Sequence, residues 1–245
     1  MLHLEQFYVD PADVGDDFFV IRGDEFKHAV KVLRKTSGDE IMAVDGKGNR
    51  YSGLISRIGD NSAAISIKKI ERNSGEPNVT LTLAQALLKH PILDLVVEKC
   101  TEIGVARFQP IFTERTVVHG SPGRLDRWRK KALAAMKQCG RSRCPEVHAP
   151  VSFTEAIKKF HGDVAIIAHT PTNVRRPFSN EIVDKKRNVV LFIGPEGGFS
   201  DSEYDLAVEN GMVTLDLGVR RLRSETAAIV ASSIVLHAAG ELGNL

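Results

Sequence analysis

The sequence predicts an α/β domain with a mainly parallel sheet, preceded by a small β-rich barrel. Three features carry that reading. Strand-like runs cluster before residue 72. Beyond residue 77, short apolar runs alternate with amphipathic helices. A polar stretch with Gly and Pro, Glu71 to Pro77, lies between them as a linker, which sets the domains at 1–72 and 73–245.

In the first part, Phe18-Phe19-Val20-Ile21 is an apolar strand and Glu40 to Val44 is another. Asp45-Gly46 and Lys47-Gly48 then turn the chain into Tyr51 to Ile55, because tight hairpin turns need positive φ. Ala63 to Ile67 alternates as a third strand, and a helix from about Asp24 to Leu33 interrupts the set. In the second part, Val79 to Leu83 and Phe108 to Phe112 read as strands. Ile92, Leu95, Val96, Cys100 and Ile103 share one helical face, and Gly104 stops that helix. Leu125, Trp128, Ala132, Ala135, Met136 and Cys139 form a second apolar stripe. Val164 to Ala168, Val189 to Ile193 and Val213 to Leu217 are short runs of the kind that buried parallel strands show. A last helix, about Glu225 to Ala239, puts Ala227, Val230, Ala231 and Ile234 on one face.

Composition bounds the function. The 245 residues, 42% hydrophobic and 26% charged, are ordinary for a globular chain. No apolar run of membrane-spanning length occurs and the N-terminus lacks the regions of a signal peptide, so a cytoplasmic protein is expected. Cys100, Cys139 and Cys144 are odd in number and form no C-x-x-C pair, which argues against a disulfide framework or a zinc site. His28, His90, His119 and His169 have no metal spacing, and no metal is expected. The net charge of +2 conceals an uneven distribution. Residues 107 to 143 hold ten Lys or Arg against Glu114 and Asp126, a local balance of +8 that leaves −6 elsewhere. Such a concentration fits either a polyanion partner or a solvated helix face, and ten against two favours the polyanion.

Two motifs carry chemistry. The strand Val189 to Ile193 runs into Gly194-Pro195-Glu196-Gly197-Gly198-Phe199, after which Ser200 caps a helix with Glu203 as its capping-box partner. A strand, a glycine-rich turn and a helix present backbone groups to a ligand, although an empty tight turn has the same look. The pattern is neither the dinucleotide fingerprint nor a P-loop. The second motif, Leu215-Asp216-Leu217-Gly218-Val219-Arg220-Arg221-Leu222-Arg223-Ser224-Glu225-Thr226-Ala227, reads as a strand end, a basic loop and a helix capped by Ser224.

Gly194 to Gly198, followed by Leu217-Gly218-x-Arg220-x-Leu222-Arg223-x-Glu225-Thr226-Ala227, closely resembles the bacterial 16S rRNA (uracil-N3)-methyltransferase RsmE family of the SPOUT superfamily. His28-x-x-x-Val32-Leu33-Arg34, Leu95 to Gly104, Thr113 to Val118 and Gln138-Cys139-Gly140-Arg141 with Pro145 fit the same family, so the resemblance spans essentially the whole chain. It implies a PUA-like barrel that helps to bind RNA and a C-terminal domain threaded as a trefoil knot. It also implies a homodimer, S-adenosyl-L-methionine as cofactor, and 16S rRNA or the assembled small ribosomal subunit as partner. Carried over by position, the cofactor pocket comprises Gly194, Glu196, Gly197, Gly198, Leu217, Gly218, Leu222, Arg223 and Thr226, with Ala168-His169-Thr170 as a further wall. One departure stands out: the family usually has arginine just before its N-terminal aromatic pair, and here Gln6 precedes Phe7-Tyr8.

Methylation at uracil N3 leaves negative charge on two carbonyls, which an arginine would stabilise as an oxyanion site does. Arg223, or Arg220 or Arg221 beside it, suits that role and suits phosphate binding equally. Glu98 and Glu102 read as a salt-bridged helix face rather than a general base, Glu196 as a ligand for the cofactor amine or ribose. The cysteines read as structural and Trp128 as core. Lys27, Lys31 and Arg34 on the barrel, with Arg115, Arg124, Arg127, Lys131, Arg141 and Arg143, are the expected RNA contacts. A SPOUT enzyme acting on another RNA position or atom, or an RNA-binding assembly factor with no activity, are the competing expectations.

Overall fold

The computed structural model describes residues 5–118, 123–161, 163–169, 176–183 and 188–243. The chain divides into two compact units, Met1–Glu76 with Leu133–Cys144, and Pro77–Ala132 with Pro145–Leu245.

The first unit is a five-stranded sheet. Its strands are β1 (Gln6–Tyr8), β2 (Phe18–Arg22), β3 (Glu40–Val44), β4 (Asn49–Ile58) and β5 (Ser62–Arg72), in the order β1-β3-β4-β5-β2. Phe7 of β1 and Phe19 and Ile21 of β2, from opposite ends of that order, share one core with Ile41, Tyr51, Ile55 and Ile65. A sheet whose two edges bury side chains in the same cluster is curled. The expected helix begins as α1 (Gly23–Phe26) and continues as a π-helix over Lys27–Val32. The Asp-Gly turn is wider than a two-residue hairpin, because the β3–β4 register closes at Val44 and Arg50. Asp45 organises it, accepting from the backbone of Lys47 and Asn49 at 2.8 and 3.1 Å and from the Tyr51 hydroxyl at 3.2 Å. Burial and the Asp45 charge push the Tyr51 phenol up to about 12.

The stretch expected to be a linker is instead pinned. The Glu76 carboxylate accepts from Arg141 Nε and Nη2 at 3.1 and 2.7 Å, and from the backbone of Ser142 and Arg143 at 2.9 and 2.8 Å. Both side chains of this ion pair are at most 5% exposed. A buried guanidinium requires such a partner. Gln6 belongs to the same layer: it is buried, and its amide donates to the Arg141 carbonyl at 2.7 Å.

The second unit is an α/β sandwich. Its strands are β6 (Thr80–Ala86), β7 (Arg107–Phe112), β8 (Glu146–Val147), β9 (Val151–Ser152), β10 (Val164–Ala168), β11 (Asn188–Ile193) and β12 (Val213–Leu215). They run parallel in the order β12-β10-β11-β6-β7-β8, with β9 also on β7. Its helices are α2 (Ile92–Ile103), α3 (Arg124–Cys139, shared with the first unit from Leu133), α4 (Phe153–Lys159), α5 (Asp201–Glu209) and α6 (Ser224–Ala238). Gly104 ends α2 with a left-handed φ of 115°. Trp128 is buried on α3 and donates from Nε1 to Asp94 at 3.1 Å.

Two helix faces differ from their sequence reading. In α2 the buried residues are Leu93, Asp94, Val96, Val97, Cys100 and Thr101, while Leu95 is 43% exposed. In α6 they are Ser224, Ala228, Ala231, Ser232, Val235 and Leu236, while Val230 is exposed. The two helices pack on one another, and close packing there uses Ala and Ser where a hydropathy pattern looks for large apolar residues.

Candidate active site

The parallel register brings Ala168, Ile193 and Leu215 level at the carboxyl ends of β10, β11 and β12. Ligands bind at such ends in open α/β sheets. Here a cavity of about 400 Å³ opens, walled by the turn after β11, the loop after β12 and the end of β10.

The turn after β11 is held from three sides. Gly198 N–H donates to the Pro195 carbonyl at 2.9 Å, with Gly198 at φ 70°. A Cβ on Gly194 would lie 3.1 Å from the backbone of Gly198 and Phe199, so a larger residue would push this tight return outward by a few tenths of an ångström. Arg115, expected to contact RNA, lays its stem 3.4 Å from the Cβ direction of Gly197 and donates to the carbonyls of Gly197 and Phe199 at 2.9 and 3.2 Å. Its neighbour Glu114 is fixed by a backbone bond to Glu203 Oε1 at 2.8 Å, and Glu203 also closes the capping box with Ser200.

Ser224 does not cap α6. Arg223 occupies that position without a side-chain bond. The buried Ser224 hydroxyl instead donates to the Gly194 carbonyl at 2.5 Å and accepts from the Gln85 amide at 3.0 Å. The start of α6 is thereby tied to the glycine turn and to β6. Arg221 adds a link, donating from Nη2 to the Glu196 carbonyl at 3.2 Å.

His169 follows β10, stacks on Tyr204 with ring centroids 4.6 Å apart and lines the cavity. Desolvation, with the Arg115 charge adding to it against Asp201, holds its imidazole below the usual histidine range. It is therefore neutral at pH 7. Glu196 is the acidic side chain among the lining residues.

Of the residues assigned to the cofactor from sequence, His169, Gly194, Glu196, Gly197, Gly198, Leu217, Gly218 and Leu222 line this cavity, as does Arg220. Arg223 and Thr226 do not, and the Arg223 side chain is 86% exposed. Ser224 and Ala227 take their place because α6 begins one residue earlier than expected. Thr170 and His119 lie outside the described residues.

The assigned RNA contacts are scattered. Arg127 pairs with Asp94 at 2.9 Å and Lys131 with Glu98 at 3.4 Å, while Arg143 donates to Asn73. Arg141 is withdrawn from the set, because its guanidinium is buried on Glu76. Lys27, Lys31 and Arg34 are exposed, and Arg124 is half-buried. Glu98 and Glu102 both pair with Lys99, and burial raises the thiols of Cys100 and Cys144 to about 12 and 11, which leaves them inert.

An RNA methyltransferase domain family matches residues 75–236, and an RNA methyltransferase PUA domain family matches residues 21–68. Ribosomal RNA small subunit methyltransferase E of Synechocystis is 30% identical over 91% of this chain and 74% of its own, and that of Mesomycoplasma hyopneumoniae 31% over 91% and 95%. This chain belongs to the ribosomal RNA small subunit methyltransferase E family. Among solved structures, the family member from Neisseria gonorrhoeae, bound to S-adenosyl methionine, aligns with TM-score 0.85 and 27% identity over 97% of this chain and 98% of that one. A Legionella pneumophila methyltransferase with bound cofactor SAM aligns at 0.83 and 28% over 97% and 99%. In family terms, the cavity lies at the end of the methyltransferase domain's sheet, and the curled sheet corresponds to the PUA domain.

Proposed function

We propose that this protein is an S-adenosyl-L-methionine-dependent methyltransferase acting on N3 of a uridine in 16S ribosomal RNA. The observation that carries the reading is a cavity walled by both the glycine turn and the arginine-bearing loop, in a chain of this family. Its volume suits a nucleoside-sized ligand. The fit is chemical as well: Ile193, Leu217 and Leu222 offer an apolar wall, and Glu196 offers countercharge to a cation. The cofactor supplies an electrophilic methyl group.

The chain's own residues then have distinct tasks. The turn from Gly194 to Gly198 and Leu217-Gly218 hold the cofactor against the strand ends. His169, neutral and beside the cavity, accepts the N3 proton. Arg220, with Arg223 further out, faces the uracil carbonyls as they gain charge or the flanking phosphates. The exposed cations Lys27, Lys31 and Arg34, on and just after the π-helical turn of the first unit, grip the RNA backbone. Residues 1–72 serve RNA binding and 73–245 catalysis, and the family's knotted threading, homodimeric assembly and cytoplasmic setting belong to the same proposal.

The test is mass spectrometry of 16S rRNA nucleosides from cells with and without the gene. We expect 3-methyluridine to disappear, to return with wild type, and not with Gly197→Trp, which drives Arg115 off the turn. Loss of a different methylated nucleoside would reassign the target. In single-turnover kinetics, Arg223→Ala should slow the methyl-transfer step; weaker RNA binding at an unchanged rate would assign Arg223 to phosphate instead.

A further inference from the structure

We propose that Val32 and Leu33 form an apolar knob that docks against an unpaired RNA base while Lys27, Lys31 and Arg34 meet the phosphates on either side. The inference rests on the ribosomal RNA reading above and specifies how the first unit reads its substrate.

The motif His28-x-x-x-Val32-Leu33-Arg34 has two sides. Its inner side is structural. Phe26 and Ala29 are buried, the His28 ring meets Phe7 edge-on at 5.8 Å, and His28 Nε2 lies 3.0 Å from the Glu5 carboxylate. Its outer side is presented to solvent, with Val32 67% and Leu33 38% exposed.

The backbone departs from regular helix to make that presentation. The π-helical turn ends with Leu33 N–H on the His28 carbonyl at 2.9 Å and Lys35 N–H on the Ala29 carbonyl at 3.0 Å. The second bond closes seven residues, one more than in the motif that ends α-helices through a left-handed residue. Glycine normally fills that position, as Gly104 does after α2. Here it is Arg34, at φ 55°. Left-handed backbone is unfavourable for a residue with a Cβ. Among the described residues, neither Arg34 nor Lys31 makes a hydrogen bond or ion pair that would offset it. The strain holds a free guanidinium beside two exposed apolar side chains.

Charge selects the occupant. Residues 27–35 hold four cations and no acid; Lys27 pairs with Asp24 at 3.4 Å, which leaves Lys31 and Arg34 to carry most of the charge beside Val32 and Leu33. Two apolar side chains are far less than a stable protein interface requires, but they match the face of one splayed base. Single-stranded RNA is commonly bound without reading its sequence by cations around a stacking side chain, most often an aromatic one; here the Val32 and Leu33 side chains take that place.

Three proteins separate the possibilities: wild type, Arg34→Gly, and the double variant Val32→Ser with Leu33→Ser. The probes are an RNA hairpin with an unpaired uridine-rich loop and a fully paired duplex of equal length. Arg34→Gly should raise the thermal unfolding midpoint by a few degrees, because strain is relieved, and lower hairpin affinity about tenfold. The double variant should lose about tenfold on the hairpin, little on the duplex, and keep the wild-type slope of affinity against salt, since no cation is removed. S-adenosyl methionine binding, measured by calorimetry, should be unchanged in both. Wild-type hairpin affinity in both variants would overturn the knob, as would a change in sedimentation mass with RNA binding intact, which would assign the surface to a second copy of the chain. A wild-type protein that binds neither RNA would remove the ribosomal RNA reading itself, and this inference with it.

Discussion

The chain has two arginine-rich regions, and the structure treats them in opposite ways. Along α3 and the loop after it, four of the eight cations meet acids supplied from elsewhere: Arg127 meets Asp94, Lys131 meets Glu98, Lys137 meets Glu25 and Arg141 meets Glu76, while Arg129 meets Asp126 on its own helix. In the loop from Arg220 to Arg223, Arg221 donates to a backbone carbonyl, and Arg223 approaches Glu225 only to 4.0 Å. The region that dominates the charge count is largely spent on the fold; the shorter one keeps its charge at the mouth of the cavity. Charge density along a sequence is therefore a poor guide to free charge, because the neutralising partners are distant in the chain.

The comparison can be broken or sharpened by substitution. The largest effect belongs to the spent group. Glu76→Ala should destabilise the protein by about 3–5 kcal/mol in urea unfolding, because it strands a buried guanidinium. A loss under about 1 kcal/mol would mean that the pair behaves as a surface one. Next comes the tie behind the cavity. Ser224→Ala should cost about 1–3 kcal/mol by leaving the Gly194 carbonyl unpaired. It should also weaken S-adenosyl methionine binding in calorimetry, and unaltered affinity would show that the turn holds itself. A smaller contrast separates the two arginine groups directly. Arg220→Ala should reduce the salt slope of RNA affinity by about 1, and Arg127→Ala should leave it unchanged. Equal slopes in the two variants would erase the distinction.

The mildest effect is titration. Desolvation lowers His169 and His148 below the usual 6.5. The unfolded chain therefore binds more protons in the window below pH 6.5, so their contribution to stability is whole above 6.5 and is lost as pH falls through the depressed values. Turnover should fall over the same window if His169 takes the N3 proton. A His169→Asn variant with an unshifted lower limb in its pH–rate profile would exclude that role.

Much of this was legible in the sequence where the signal is local. The strand, glycine turn and capped helix from Asn188 to Glu209 appear as read, because the capping box and the apolar run are short-range features. Gly104 and Trp128 likewise declare themselves. What the sequence concealed is tertiary. Ser224 has every mark of an N-cap, yet its hydroxyl bonds a carbonyl thirty residues away. Arg115 carries a charge that suggests RNA, while its geometry serves the glycine turn. The two-residue strands β8 and β9 are too short for any periodicity to register. Gln6 has a structural use that only Arg141 reveals.

The layer around Glu76 also bears on how the chain is made. The turn between β3 and β4 is completed from far along the chain, by Gly48 on Ser142 and Cys144 on Gly46. Synthesis proceeds from the N-terminus, so the layer around Glu76 cannot form until residue 144 has left the ribosome. Until then the Glu76 carboxylate has no guanidinium and Gln6 has no carbonyl. The turn between β3 and β4, in the unit that we assign to gripping ribosomal RNA, is thus secured late, after the first βαβ segment of the other unit has been translated.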